Sequence, residues 1–144
     1  MIVVFDIDGT LASADHRIHW IKTDPKNWAA FYAGIGNDSP IDPICDLARI
    51  LYSSGHQILF CTGRNENYRN DTQTWLNRHK IYGSALYMRG QEDRRPDYEI
   101  KEDLLKRIVV DYGQPDLVFE DRQQVVDMWR RNGIRCLQVA AGQY

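Results

Sequence analysis

The first ten residues, Met1-Ile2-Val3-Val4-Phe5-Asp6-Ile7-Asp8-Gly9-Thr10, set two carboxylates at the end of a short apolar run. Ile2 to Phe5 reads as a buried strand by its length and its β-branched content. Side chains alternate along a strand, so Asp6 and Asp8 are expected to lean to the same side. Like charges held close together are costly unless something positive accompanies them. A metal ion, or a substrate that needs both groups, accounts for that arrangement better than a structural role does.

Strand and helix patterns alternate onward from this run. Asp42 is expected to cap a helix with Pro43 in its first turn, Ile44, Leu47, Ala48 and Leu51 on one face, and Gly55 at its close. A strand over Gln57 to Cys61 follows, then a helix over 69–79, a strand over 85–88, a helix over 98–110 and the strand Leu117-Val118-Phe119. Val125, Val126 and Trp129 mark a last helix ending near Gly133, and a strand runs from 134 to 139. Residues 12–40 are the least regular, with short helices expected near 15–22 and 26–33.

Such alternation predicts an α/β fold with a mostly parallel, doubly wound sheet covered on both faces. No repeat, linker or low-complexity tract divides the 144 residues, which suit a single domain. In open α/β sheets, ligands bind outside the carboxyl ends of the strands. Asp6, Thr62 and Asp121 each follow an apolar strand run and are expected to meet at that edge.

A net charge of -2 gives no general attraction to nucleic acid, so an anionic ligand must be met by a local basic cluster. No apolar run is long enough to span a membrane, and the strand beginning at Ile2 predicts no signal peptide. Cys45, Cys61 and Cys136 lack zinc spacing and are expected to be reduced and buried, which predicts a cytoplasmic location.

The residue types at the strand ends suit phosphate-ester chemistry. A carboxylate can attack phosphorus to form an aspartyl-phosphate. A second carboxyl group can protonate the leaving alcohol and later deprotonate water. Mg²⁺ takes hard oxygen ligands from carboxylates and substrate phosphate, while hydroxyls and cations hold the remaining phosphoryl oxygens.

Asp6-Ile7-Asp8-Gly9-Thr10 resembles the first motif of the haloacid dehalogenase (HAD) superfamily of phosphatases. Thr62 is similar to the second motif, Lys101 to the third and Glu120-Asp121 to the fourth, in the family's order. The stretch EDRQQVVDMWRRNGIRCLQVAAG, residues 120–142, resembles the end of the 3'-phosphatase domain of phage polynucleotide kinase-phosphatases. Thr62-Gly63-Arg64 and the spacing from Arg89 through Arg95 to Lys101 agree with that family.

The resemblance implies a HAD-like Rossmannoid domain over residues 1–144 with a small cap insert at about 12–40. It implies Asp6 as nucleophile and Asp8 as general acid/base. Mg²⁺ would be held by Asp6, the Asp8 backbone carbonyl and Asp121. Glu120 stands where the family usually has Asp and is counted with the metal ligands. Thr62, with Gly63, and Lys101 would grip the phosphoryl group, and Arg64, Arg89 and Arg95 would serve the substrate side.

Other readings are weaker. The DxDG string lacks the further ligands of a calcium loop. His16 and His19 have no third metal partner and are expected at the surface or in packing. The aromatics of 20–32 read as a small core before a base-stacking platform, and Arg130 and Arg131 as a solvated helix face. Gly34-Ile35-Gly36 is not followed by GK[ST], so no P-loop and no kinase half is expected in this chain.

The expected function is Mg²⁺-dependent phosphomonoester hydrolysis, removing 3'-phosphate from nucleic-acid ends or nucleotides. A phosphatase of free 5'-nucleotides or another small phosphate ester is the alternative. A non-catalytic phosphate-binding module would have no use for Asp8.

Overall fold

The strand Ile2–Phe5 (β1) is the centre of a five-stranded sheet, and its residues alternate between two cores. The computed structural model describes residues 1–142. After β1 the chain makes the two-residue strand Ala12–Ser13 (β2), a 3-10 turn at Asp15–Arg17, and the short helices His19–Lys22 (α1) and Trp28–Ala33 (α2). A second 3-10 turn, Ile35–Asn37, leads to Ser39–Pro40 (β3), which pairs antiparallel with β2. The segment expected to be irregular is thus an excursion rooted on a two-stranded hairpin.

Helix Asp42–Ser53 (α3) and strand Gln57–Asn65 (β4) come next, followed by a 3-10 turn at Glu66–Tyr68 and helix Arg69–Arg78 (α4). Ala85–Arg89 (β5), Asp97–Asp111 (α5), Leu117–Arg122 (β6), Gln123–Arg131 (α6) and Cys136–Gly142 (β7) complete the order. The sheet order is β5-β4-β1-β6-β7, and every pair is parallel. This is a doubly wound α/β fold.

Val3 and Phe5 face one core with Ile58 and Phe60 of β4, completed by Cys45 and Ala48 of α3 and by Trp75 and Leu76 of α4. Val4 faces the other with Leu59 and Cys61, against Ile100, Leu104 and Ile108 of α5 and Val125, Val126 and Trp129 of α6. Period-two alternation in one four-residue strand therefore feeds both layers. The Phe5 and Phe119 rings stack at 4.6 Å, locking β1 against β6.

Several boundaries differ from expectation. Asp42 is the first residue of α3 rather than its cap; Ile41 holds the cap position and makes no side-chain cap bond. β4 runs four residues beyond Cys61, and β6 runs through Glu120 and Asp121. Both extensions cross a register irregularity, between Cys61 and Asn65 in β4 and between Glu120 and Arg122 in β6. Thr62 and Asp121 thus lie within irregular strand ends, where a bulge re-aims side chains. β7 begins at Cys136, two residues later than the pattern of 134–139 suggests. All three cysteines are free and buried, and no helix among the described residues is long and apolar enough to cross a membrane.

Candidate active site

β1 ends at Phe5, so Asp6 and Asp8 stand on the loop beyond it and find separate partners. The expected alignment on one side of a strand is therefore not realised. Asp6 is buried: Lys101 Nζ donates to Oδ1 at 2.7 Å and Thr10 Oγ1 donates to Oδ2 at 3.0 Å. Lys101, from the second turn of α5 and itself buried, also donates to Glu120 Oε2 at 2.8 Å.

Ligand oxygens of Asp6, Glu120 and Asp121, all three residues buried, lie within 4.8 Å of one another. Burial, and then the charge of Glu120, push the Asp6 carboxyl well above its usual range against the pull of Lys101. Glu120 is pushed up to about 7, by burial first and with Asp97 and Asp121 adding to it, while Lys101 opposes. Carboxylates this reluctant to ionise together favour a further positive charge among them.

Glycine is required where the chain approaches this cluster. Gly9 has φ +84, and a Cβ there would run into the Asp121 carboxylate. A Cβ at Gly63 would overlap Asp97 Oδ1, so glycine lets the end of β4 close on the start of α5. Asp97 Oδ1 is buried without a hydrogen-bond partner among the described residues, although the carboxylate has Lys101, Arg89 and Arg122 at 3.6–3.7 Å.

Asp8 belongs to a second network. Arg64 donates to it through Nε at 3.0 Å and Nη2 at 2.7 Å, and Arg17 Nη2 donates at 2.8 Å. Both guanidiniums also hold Asp38, Arg17 through Nε and Nη2 at 2.7 and 2.8 Å and Arg64 through Nη2 at 3.0 Å. Arg64 Nη1 adds Thr72 Oγ1 at 3.1 Å, and Trp75 Nε1 donates to the Asp38 carbonyl at 2.8 Å. Burial alone would raise the Asp8 carboxyl, yet Arg64 and then Arg17 hold it below its usual value. The excursion between β2 and β3 is thereby tied to the end of β4 through buried charge.

The remaining expected site residues are placed as follows. Thr62 is buried, and its Oγ1 accepts the Arg64 backbone N–H at 3.1 Å, a role that leaves the hydroxyl proton for another acceptor. Arg89 donates to the carbonyls of Gly63, Asp93 and Arg95 at 2.8, 3.1 and 2.7 Å, organising the loop before α5. Arg95 is exposed and pairs with Asp93 and Asp103, each at 2.7 Å. The structure thus brings Asp6, Lys101, Glu120 and Asp121 together, sets Asp8 and Arg64 beside them, and engages Arg95 at the surface.

Sequence reading did not single out Arg17 and Asp38. Their signal was faint: an arginine and an aspartate in an irregular segment that is otherwise exposed over much of its length. His16, expected at the surface or in packing, is exposed and meets Asp38 Oδ1 at 2.7 Å.

A family model described as the polynucleotide kinase PNKP phosphatase domain matches residues 1–144. Two solved structures of the Pnkp1/Rnl/Hen1 complex, one described as an RNA repair complex, resemble this chain at 30% identity over 99% of its length, with TM-scores of 0.81 and 0.79. The chain spans 43% and 47% of those chains, less than half of each. A haloacid dehalogenase-like family hydrolase of Streptococcus pneumoniae shares the fold at 16% identity, covering 95% of this chain and 83% of that one, with a TM-score of 0.71. A class C acid phosphatase of Bacillus anthracis with tungstate bound does so at 14% identity, 99% and 67% coverage and a TM-score of 0.69.

Proposed function

The chain belongs to the family of PNKP phosphatase domains, and from that premise we propose that it is a Mg²⁺-dependent phosphomonoesterase that removes 3'-phosphate from nucleic-acid ends through an aspartyl-phosphate on Asp6. The observation that carries the reading is the buried Asp6 carboxylate, fixed by Lys101 and Thr10 beside Glu120 and Asp121. A phosphatase domain of the HAD class needs a nucleophile ordered in that way.

The acidic cluster fits a hard divalent cation: three buried carboxyl groups converge beside the single ammonium of Lys101 and offer hard oxygen ligands. Asp6 and Asp121, with Glu120 and the Asp8 carbonyl, would hold Mg²⁺. When bound, the ion would neutralise charge on the phosphoryl oxygens. Asp6 supplies the oxygen that attacks phosphorus, and Thr10 and Lys101 set its orientation. An arriving phosphate competes with Asp6 for Lys101, which frees the nucleophile as it binds the phosphoryl group. Thr62 donates its hydroxyl proton to a further phosphoryl oxygen.

Asp8 is ionised by its two arginines, a state ready to take a proton from water in the second half-reaction. The dianionic substrate draws on the same guanidiniums and raises the proton affinity of Asp8, which takes up a proton from solvent as substrate binds and delivers it to the leaving alcohol in the first. The proton it removes from water in the second returns to solvent when phosphate leaves. Residues 12–40 act as a small cap within a single domain, anchored by Arg17 and Asp38. Arg64, Arg89 and Arg95 form the substrate side, the first two by holding the walls and Arg95 by exchanging its surface partners for a strand phosphate. Three buried thiols suit the reducing cytoplasm.

The polynucleotide preference is supported by the family and by the likeness at 30% identity to chains of a complex described as one of RNA repair. Steady-state kinetics test it, with a 3'-phosphorylated oligonucleotide, the matching 5'-phosphorylated oligonucleotide, 3'- and 5'-mononucleotides and glycerol phosphate, each with Mg²⁺ and with EDTA. The highest kcat/KM is expected for the 3'-phosphorylated oligonucleotide, with loss of turnover in EDTA. Equal or better kcat/KM for free nucleotides overturns the polynucleotide reading in favour of a nucleotide phosphatase.

A further inference from the structure

The excursion between β2 and β3 carries more aromatic surface than its own packing uses. Phe31 is the core residue of this group: it is buried, and the Arg17 guanidinium lies 4.3 Å from its ring centroid. Trp28 and Tyr32, one helical turn apart on α2, are not buried in that way, and Trp28 is 48% exposed. The reading of these residues as a small core therefore holds for Phe31 and fails for Trp28.

Their rings form a row. Trp28 and Tyr32 lie 6.1 Å apart at an interplanar angle of 26°, and Tyr32 stacks on Tyr68 at 4.5 Å and 16°. Tyr68 comes from the 3-10 turn after β4, so the row bridges the excursion and the turn that follows the strand carrying Arg64. Its middle ring, Tyr32, lies in the field of Asp8, Arg89, Arg64 and Arg17, and at the Trp28 end Lys26 Nζ is 5.7 Å from the indole centroid. A strip of near-parallel rings thus passes within the field of Asp8 and ends in an exposed indole flanked by a cation.

We infer that the Trp28–Tyr32–Tyr68 row is a stacking platform for the terminal base of the substrate strand, with Lys26 meeting the neighbouring backbone phosphate. The inference rests on the proposed polynucleotide substrate and names the part of it, the base, that this rim reads. Every base has a π-face, so such a platform accepts all four with little preference, as an end-processing enzyme requires. Ring-on-base contact also turns binding of a remote part of the substrate into placement of its phosphate against Asp6.

The decisive substrate is a 3'-phosphorylated oligonucleotide whose last nucleotide lacks its base, compared with the intact oligonucleotide and glycerol phosphate. The unmodified protein should favour the intact end over the abasic end by about tenfold in kcat/KM. In Trp28→Leu and Tyr68→Leu this ratio should fall towards one, whereas Tyr68→Phe, which keeps the ring, should retain it. Circular dichroism of each variant verifies its fold, and the comparison of ends on the unmodified protein needs no variant. An intact-to-abasic ratio near one, with the oligonucleotide still preferred to glycerol phosphate, overturns the platform and leaves the polynucleotide reading standing. No preference for the oligonucleotide over glycerol phosphate overturns both.

Discussion

Arg17 reaches Asp8 from inside the excursion, its Nη2 2.8 Å from Oδ1, and both residues lie at the junction of insert and sheet. The contact crosses only nine residues of sequence but joins the excursion to the loop after β1. Buried charge of this kind adds little net stability when complete, yet is costly to break from one side.

Arg17→Ala should accordingly destabilise the protein by roughly 3 kcal/mol, because Asp38 loses two of its hydrogen bonds and stays buried. Activity should fall about tenfold, since Arg64 still holds Asp8 but the carboxylate is less fixed. A purely structural role would leave the pH profile unmoved. Loss of a cation beside a group held low by cations raises that group, so the acidic limb attributed to Asp8 should move to higher pH. The stability due to ionised Asp8 is present above its unfolded value and is lost as pH falls through its folded value, so the Arg17→Ala deficit should shrink in acid. Thermal unfolding at pH 7 and pH 3, with kcat/KM against pH, measures both.

Asp6→Asn should abolish turnover while leaving the protein at least as stable at pH 8. Burial and then Glu120 raise the Asp6 carboxyl in the folded state, so its ionised form opposes folding above the unfolded value. Asparagine removes that charge and keeps the shape, the usual exchange of stability for function at an active site. Without metal, the Tm of the variant should exceed that of the parent at pH 8 and approach it as pH falls. Substantial Mg²⁺-dependent turnover by purified Asp6→Asn would rule out the nucleophile.

The layers of the fold were legible because β1, β4 and β6 carry apolar runs whose alternation states which face each residue takes. Asp6 and Asp121 could be placed because each follows an apolar strand run, whereas Lys101 and Glu120 rested on the family resemblance. The Arg17–Asp8–Arg64–Asp38 network could not. Its members are 9 to 56 residues apart, and no periodicity marks a charge that is buried through its partners. Separate partners for Asp6 and Asp8 were hidden for a related reason. The strand stops at Phe5, and the turn held by the Ile7 carbonyl, which accepts from Thr10, Leu11 and Ala12, sends the two carboxylates to different cations. Strand ends at Asn65 and Arg122 were missed because polar residues continue the pairing after the apolar pattern has ended.

Metal affinity should depend on pH through Glu120. Its folded value of about 7, raised by burial first, lies above that of an unfolded glutamate. Stability from this group is therefore full below the unfolded value and declines as pH rises towards and through about 7 in the metal-free protein. A cation bound among Asp6, Glu120 and Asp121 reverses that loss but must displace protons at lower pH. The Mg²⁺ concentration for half-maximal activity should thus fall as pH is raised from 6 to 8, and Mg²⁺ should raise Tm more at pH 8 than at pH 6. A Mg²⁺ requirement constant across that range contradicts the assignment.

Gly9→Ala probes the proposed metal site without replacing Asp6, Glu120 or Asp121. The backbone at Gly9 has φ +84, and an added Cβ would meet the Asp121 carboxylate. A side chain at such a φ costs about 1 kcal/mol in its own right, and the remaining strain must displace either the Asp6–Thr10 loop or Asp121. Displacing Asp121 opens the cluster whose oxygens lie within 4.8 Å of one another, so the Mg²⁺ requirement should rise by about tenfold or more. Gly36→Ala is the control, because nothing lies within 4 Å of a Cβ there. Isothermal titration of Mg²⁺ into the three proteins separates the effects: Gly36→Ala should match the parent, and Gly9→Ala should bind weakly even at temperatures well below its own Tm. Parent-like Mg²⁺ binding by Gly9→Ala would move the ion away from Asp121.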